Sequence, residues 1–292
     1  MTAHLVSPDP APATAGVTDE WLHSDLPAVF AGAYRWLAPA QRDISAALIA
    51  AADIRPGFRV LDIATGSGIP ALDVARHVGP DGHVSATDPA PVCVEAVAAN
   101  AREAGLTNVD AVRCSAAGLP FPADSFDAVT CSMGVMFFED MPASLAGIRR
   151  VLKPGKRAAF AAWGPLEENT MIGTMRAVAA RHLPPPPPIA GDPKDVTFPM
   201  RFAQAGTLSA VLRTAGFEDV QEERPVLSPV WPDTPESQAA FWLRLLEASG
   251  PIAPDVRETL AADFVEALEP ISREDGIHFS ARIVIASGRT PA

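Results

Sequence analysis

The sequence has few cysteines and few basic residues, and both shortages narrow the classes of function. Its three cysteines, Cys93, Cys114 and Cys131, show no CxxC spacing, so we expect neither a disulfide framework nor a cysteine-based metal site, and their odd number indicates reduced thiols in a cytoplasmic protein. Lys and Arg number 23 against 35 Asp and Glu, and the formal net charge of −12 repels nucleic acids and anionic membranes. We therefore expect a small-molecule substrate and no nucleic-acid partner.

Long apolar runs, a signal peptide and paired histidines are also missing. No run reaches the roughly 18 apolar residues that a membrane-spanning helix needs, so we expect no membrane association. Residues 1–17 lack the basic and apolar regions of a signal peptide and are predicted to form a flexible tail. The six histidines show no metal-ligand spacing, and we expect no metal site.

Strand-like and helical patterns alternate from Arg59 to Trp163. This alternation predicts an α/β fold with a doubly wound, mostly parallel sheet covered by helices on both faces. Strands are predicted at 59–64, 83–88, 109–114, 126–131, 157–163, 219–226 and 276–288.

The other segments are predicted to be mainly helical. An N-terminal helical segment, 18–55, precedes the main domain, 56–292. Helical insertions interrupt that domain at about 164–206, with five consecutive prolines at 184–188, and at about 233–270. We expect these helical segments to form a lid over the carboxyl ends of the strands.

A glycine-containing turn after the first strand carries the sharpest functional signal. In VLDIATGSGIPA (60–71) a strand ends at Asp62, and Gly66 and Gly68 allow a ligand to approach the backbone before a helix begins. Asp88 ends the second strand, where a carboxylate can accept hydrogen bonds from both hydroxyls of a ribose. Together they predict a nucleoside site. The alternatives are a turn without a ligand, a helix cap at Asp88, and an Asp62 that binds only backbone amides.

The charge of Asp62 favours one nucleoside ligand over another. The glycine spacing alone also fits an NAD fingerprint. A carboxylate just ahead of the turn would face the pyrophosphate of a dinucleotide, whereas it suits the α-ammonium and sulfonium groups of S-adenosylmethionine. An NAD(P)-dependent oxidoreductase would also be expected to carry Tyr-x-x-x-Lys, and no such motif follows Tyr34, the only tyrosine.

The stretch from 59 to 163 resembles the class I S-adenosylmethionine-dependent methyltransferases, and within them the group of ubiquinone/menaquinone-biosynthesis C-methyltransferases. The resemblance is carried by VLDIATGSG, the ATD of 86–88, LPFPADSFDAV (119–129) and VLKPGKRAAFAAW (151–163), over roughly a third of the chain. It implies a seven-stranded, Rossmann-like sheet whose last strand runs antiparallel to the others.

The resemblance also assigns cofactor-binding residues to the parts of S-adenosylmethionine. They are Asp62, Ala64, Thr65, Gly66, Ser67 and Gly68 around the methionine part, Asp88 and Pro89 at the ribose, Cys114, Ser115 and Ala116 at the adenine, and Ser132 and Met133 beside the sulfonium. Two positions depart from the family pattern. Ala64 replaces the first glycine of the loop, and Ser115 stands where the family often has an acidic residue for the adenine amino group.

Three side chains are expected to contact the substrate. Met136 and Phe137 follow the fourth strand, and Tyr34 lies in a helix that resembles the family's helix beside the cofactor. We expect a methyltransferase that acts on a small, mostly apolar molecule such as a quinone, a polyketide or another secondary metabolite; a protein of the same fold that binds the cofactor without methylating is the alternative. The sequence assigns no catalytic residue. It leaves open the acceptor, the methylated atom and the oligomeric state, a homo-oligomer included.

Overall fold

The computed structural model describes residues 21–184, 200–248 and 250–292. The tail expected at 1–17 and nearly all of the proline run at 184–188 lie outside these residues. Across the described part of the chain, no helix combines the length and the apolarity needed to cross a bilayer.

Eleven strands occur within the described residues, and most belong to one central sheet. They are β1 (Arg59–Ile63), β2 (His83–Asp88), β3 (Val109–Arg113), β4 (Phe126–Ser132), β5 (Leu152–Trp163), β6 (Glu218–Glu223), β7 (Val226–Leu227), β8 (Val230–Trp231), β9 (Ser272–Arg273), β10 (Gly276–His278) and β11 (Ala281–Arg289). The central sheet has the order β3-β2-β1-β4-β5-β11-β6, and β7 adds a short pairing with β11.

The strand directions confirm the predicted architecture. The pairs among β1 to β5 are all parallel, and β11 runs antiparallel to both β5 and β6. The inner strands are buried on both faces, as the continuous run of buried residues at 158–162 in β5 shows. The sheet is therefore seven-stranded along its main path and mostly parallel, with one reversed strand.

Ten α-helices lie wholly within the described residues. They are α1 (Leu26–Ala31), α2 (Tyr34–Ala40), α3 (Arg42–Ala51), α4 (Ala71–Val78), α5 (Pro91–Glu103), α6 (Met141–Val151), α7 (Thr170–Ala179), α8 (Thr207–Thr214), α9 (Pro235–Glu247) and α10 (Pro254–Leu268). Apolar residues of α6 and α8 pack against one face of the sheet, and those of α3, α4 and α5 pack against the other. The fold is doubly wound, as predicted.

A third apolar cluster lies at the carboxyl ends of the parallel strands. It joins α1, α2, α7, α9 and α10 to a small three-stranded sheet of order β8-β10-β9, and we call this assembly the cap. Its position follows from two connections. Ile69, which comes directly after the glycine turn, is part of the cluster, and β10 leads into β11, whose Ile283 pairs with Trp163 at the end of β5.

Aromatic contacts tie the N-terminal helices to the rest of the cap. The Trp36 indole stacks on that of Trp231 with 5.6 Å between ring centroids. Trp36 Nε1 also donates a hydrogen bond of 2.7 Å to Asp233 Oδ2, just before α9. The helices α1 and α2 are thus fixed to elements that lie about 200 residues later in the chain.

Two predicted strands are each broken in the structure. The expected strand at 276–288 is β10 followed by β11, because the Phe279 side chain joins the cap cluster while Ile283 joins the sheet. The expected strand at 219–226 ends at Glu223, and Pro225, which lacks a backbone N–H, separates β6 from β7. The cap sheet was not predicted, since strands of two or three residues are too short to show a period of two.

Candidate functional site

Polar side chains converge where the parallel strands end. Asp62 lies near the end of β1, Asp88 ends β2 and Ser132 ends β4. Asp62 is paired across the sheet with Ala86 on one side and with Thr130 on the other. Parallel strands place these carboxyl ends at one edge, the position at which open α/β sheets bind ligands.

The turn after β1 has a left-handed backbone conformation that favours glycine. Ala64, Gly66 and Gly68 all have positive φ values, of 54°, 56° and 107°. A Cβ at Gly68 would lie 2.2 Å from Leu72 Cδ1. The turn is held to β2, because Thr65 N donates a 3.0 Å hydrogen bond to Thr87 O. The conformation of the turn therefore favours glycine at both positions, and most strongly at Gly68.

Ala64 occupies the left-handed region at a cost, so the substitution Ala64→Gly is expected to stabilise the protein by about 0.5–1 kcal/mol. Denaturant unfolding without cofactor measures the change. As a matched control, Ala99→Gly at an exposed position inside α5 should destabilise by about 1 kcal/mol. Equal losses in the two variants would show that Ala64 is not strained.

Asp62 is fully buried and only partly satisfied. Its Oδ1 accepts a 2.7 Å hydrogen bond from Thr130 Oγ1, while Oδ2 has no partner within hydrogen-bond geometry among the described residues. Burial raises the pKa of this carboxyl to about 7, and the nearby Thr130 and Thr65 hydroxyls and the Ala71 amide oppose the rise. A carboxylate in this position gains most from a ligand that brings positive charge.

Asp88 ties the glycine turn to the end of β2. Its Oδ2 accepts a hydrogen bond from Gly66 N and its Oδ1 accepts one from Ala90 N, each 3.0 Å long. Burial raises the pKa of Asp88 to about 6, although both amides favour the charged form. Each oxygen retains a lone pair. The helix cap suggested as an alternative for Asp88 is not formed, since Ala90 is the N-cap residue of α5 and no described side chain caps that helix. The ribose contact remains a prediction.

Two further hydroxyls at this edge also have no partner. Thr65 Oγ1 in the turn and Ser132 Oγ at the end of β4 are buried and unpaired among the described residues, as is Asp62 Oδ2. Unsatisfied buried polar atoms are uncommon in folded proteins. Three of them at one edge fit a ligand that carries hydrogen-bond donors and a positive charge, as the amino acid part of S-adenosylmethionine does.

The loop after β4 meets the glycine turn directly. Met133 adopts a left-handed φ of 53°, and a Cβ at Gly134 would lie 2.5 Å from the Ala64 Cβ. Met136 is fully buried and packs in the core below the sheet edge. Phe137 is only partly buried. Met133 and Phe137 thus keep some exposed surface after β4, whereas Met136 has none.

The residues assigned to adenine lie beyond β3. Cys114 N donates to Asp88 O over 3.2 Å, which brings this loop beside the end of β2. Ser115 and Ala116 are partly exposed, and Pro89 O accepts a hydrogen bond from Arg113 Nε. Burial raises the pKa of the Cys114 thiol to about 12, so it is not a nucleophile at neutral pH.

Sequence reasoning missed two aromatic side chains at this edge. Trp163 ends β5 and, like Met133, packs against the apolar clusters on both faces of the sheet. Trp21 contacts Phe137, with 6.5 Å between ring centroids. Trp163 could have been assigned to this edge from its place at the end of a predicted parallel strand. No feature of the sequence assigned Trp21 to it. Tyr34 packs against both the sheet cluster and the cap cluster, between the two.

No metal centre is found in the described part of the chain, where no three His, Cys, Asp or Glu side chains come together in a suitable group.

Comparisons with known proteins identify methyltransferases as relatives of this chain. The family described as "Methyltransferase domain" matches residues 60–155, which span β1 to the start of β5. Nocamycin O-methyltransferase from Saccharothrix syringae is 33% identical over 241 residues, which cover 78% of this chain and 83% of that protein. The ubiquinone/menaquinone biosynthesis C-methyltransferase UbiE of Ralstonia pickettii is 31% identical over 181 residues, 59% of this chain and 72% of that protein.

A solved structure extends the likeness to most of the fold. The YcgJ protein from Bacillus subtilis superposes with a TM-score of 0.54 at 20% identity, over 86% of this chain and 99% of that one. At this identity the match supports the fold alone.

Proposed function

This chain belongs to the class I S-adenosylmethionine-dependent methyltransferases, in the group that resembles the ubiquinone/menaquinone C-methyltransferases, and we propose that its acceptor is a small, mostly apolar molecule of the quinone or polyketide kind. The names of its relatives support this choice, since one acts on nocamycin and another in ubiquinone and menaquinone biosynthesis. S-adenosylmethionine is the methyl donor of this family.

The main evidence for the S-adenosylmethionine site is the group of buried, unpaired polar atoms at the strand ends. We propose that Asp62 and the turn 64–68 hold the methionine part and that Asp88, with Pro89, holds the ribose. Cys114, Ser115 and Ala116 would line the adenine, and Ser132 and Met133 would lie beside the sulfonium. The unpaired Oδ2 of Asp62 supports the first assignment, and the free lone pairs of Asp88 support the second.

The apolar character of the acceptor is supported by the side chains above this edge. Met133, Trp163 and Tyr34 are partly buried and pack against one apolar cluster, so a molecule between them would contact carbon and aromatic surface. The cap adds a further apolar layer. A charged peptide or a phosphate backbone would lose its hydration there without compensation.

The cofactor supplies a methyl group on a positively charged sulfur. This chain's residues would hold the acceptor in line with that group, and such positioning provides much of the rate enhancement in reactions of this kind. The cap would exclude water from the site. No side chain is assigned as a base, and none is needed unless the acceptor must lose a proton.

We also propose that the enzyme is cytoplasmic and does not act on nucleic acid. Its three cysteines are free, which fits a reducing compartment. Its net charge of −12 disfavours a nucleic-acid substrate. The division into an N-terminal helical segment, 18–55, and a domain with two helical insertions is likewise part of this proposal.

The function is tested with methyl-labelled S-adenosylmethionine. The purified chain is incubated with quinols, polyketide phenols, small amines, a basic peptide and RNA, and each product is analysed by mass spectrometry. We expect label in an apolar small molecule. Label confined to the peptide or the RNA would contradict the proposed acceptor class.

Replacing Trp163 with a smaller side chain should weaken binding of the acceptor more than binding of the methyl donor. We expect Trp163→Leu to raise the KM for the acceptor about tenfold, because a stacked aromatic contact and its buried area are lost, with the affinity for S-adenosylhomocysteine unchanged. Steady-state kinetics and calorimetry measure the two effects.

The matched control is Phe121→Leu. Phe121 is also partly buried, but it packs on Phe126 at the opposite, amino end of β4. It should leave the KM unaltered. A Trp163→Leu enzyme with a normal KM would remove Trp163 from the acceptor site.

A further inference from the structure

Gln238 is a fully buried polar side chain without a partner. Its relative exposure is 0%, and neither Oε1 nor Nε2 has a hydrogen-bond partner among the described residues. A carboxamide has two N–H donors and a carbonyl acceptor, so burial leaves all of its polar groups unsatisfied. Such groups are rare in folded proteins and call for a specific explanation.

Gln238 lies on the face of α9 that is turned into the cap. It precedes Phe241 by three residues and Trp242 by four, spacings that place all three side chains on one face of the helix. Phe241 and Trp242 are both buried members of the cap cluster. The carboxamide is therefore the polar group on an otherwise apolar helix face.

A chain of aromatic rings connects this helix face with the sheet edge. The Phe241 ring packs edge-on against Phe30 at 6.2 Å, and Phe30 contacts Trp21 at 5.7 Å between centroids. Trp21 in turn contacts Phe137, in the turn that follows β4. Three ring contacts thus link Phe137, after β4, to Phe241, one helical turn from Gln238.

We propose that Gln238 is a specificity-determining residue of the acceptor site, whose carboxamide hydrogen-bonds a neutral oxygen of the acceptor. A carbonyl group would accept from Nε2, and a hydroxyl group would donate to Oε1. The inference rests on the proposed function, and it narrows the acceptor to an apolar molecule that carries a carbonyl or hydroxyl group at the end inserted into the cap.

The chemistry of the surroundings explains why the oxygen is neutral. The neighbours of Gln238 on its helix face are aromatic, and an amide carries no net charge with which to balance a buried carboxylate or ammonium group. An acceptor that lacks the oxygen would leave the carboxamide unpaired in the complex, and sites of this kind reject such analogues.

The test uses two probes of nearly the same shape, 2-naphthol and 2-methylnaphthalene, which differ in a hydroxyl and a methyl group. Their dissociation constants are measured by equilibrium dialysis at pH 7 with the full chain saturated with S-adenosylhomocysteine. In Gln238→Met, which keeps the length of the side chain but removes the amide, the preference for 2-naphthol over 2-methylnaphthalene is expected to fall about tenfold relative to wild type. Gln238→Leu provides a second variant in case the thioether packs poorly.

Ser45→Ala is the matched control. Ser45 is another buried side chain with an unpartnered polar atom, but it lies on α3 against the sheet, so its removal should not change the preference. Binding of S-adenosylhomocysteine shows that each variant is folded.

An unchanged preference in both Gln238 variants would overturn the inference and leave the proposed function standing, since both probes would still bind. Failure of wild type to bind either probe would instead contradict the proposed apolar acceptor, and the inference would fall with it.

Discussion

Replacing Asp88 with alanine is expected to weaken the binding of S-adenosylhomocysteine by about 100-fold or more. The carboxylate accepts hydrogen bonds from Gly66 N and Ala90 N, and we propose that it also accepts from the ribose. A hydrogen bond to a charged group contributes about 1.5–3 kcal/mol, so the loss of two such bonds in the complex corresponds to at least about 100-fold in affinity. Isothermal titration calorimetry measures the difference.

The matched control for Asp88→Ala is Asp110→Ala on the neighbouring strand β3. Asp110 is exposed and, in the part of the chain that the structure describes, its carboxylate pairs only with His83, at 2.9 Å, so its removal should leave the affinity unchanged. Asp88→Asn keeps one acceptor oxygen and should lie between alanine and wild type. An Asp88→Ala protein that is folded and binds normally would rule out the ribose assignment.

Affinity for S-adenosylmethionine is expected to fall by more than about 100-fold between pH 8 and pH 5. Burial raises the pKa of Asp62 to about 7 and that of Asp88 to about 6. If the cationic ligand binds the ionised carboxylates, each group reduces the affinity about tenfold for every pH unit below its pKa. Calorimetry across this pH range, in buffers of different ionisation heat, also reports the protons released on binding.

The variant Asp62→Asn separates the two carboxyls. It should lose the part of the pH dependence that begins near pH 7 and keep the part that begins near pH 6. Flat affinity from pH 8 to pH 5 in wild type would mean that neither carboxyl needs to be ionised for binding.

The raised pKa of Asp62 has the opposite effect on the stability of the cofactor-free protein, which falls as pH rises. The folded-state pKa of Asp62 is about 7 and lies above its ordinary value of 3.8, so the folded chain holds more protons between these pH values. Asp62 therefore destabilises the folded protein increasingly as pH rises from about 4 to 7. The stability of Asp62→Asn relative to wild type should rise over that range and level off above it.

The parts of the site that could be predicted from sequence are local in the chain. The glycine turn and the strand that precedes it are contiguous in the chain. The segment VLDIATGSG therefore predicts both the conformation of the turn and the carboxylate beside it. The alternation of strands and helices predicted the doubly wound sheet. The reversed last strand came from the family resemblance, and the pairing of β11 with β5 confirms it.

The parts that could not be predicted depend on which distant residues become neighbours. Thr130 donates to Asp62 because β4 pairs with β1 in a register that only the assembled sheet defines. Met136 lies in the short 3₁₀ turn at 135–137 and is fully buried in the core, whereas the neighbouring Phe137 is only partly buried. The burial of Gln238 likewise depends on the assembled cap, because a glutamine within a helix is ordinarily exposed.

A crystal structure of the chain with S-adenosylhomocysteine tests the central claim most directly. We predict that the homocysteine end lies against Asp62 and the turn 64–68 and that the ribose hydroxyls lie within hydrogen-bond distance of the Asp88 carboxylate. A ligand bound away from these two side chains, with the ends of β1 and β2 uncontacted, would contradict it.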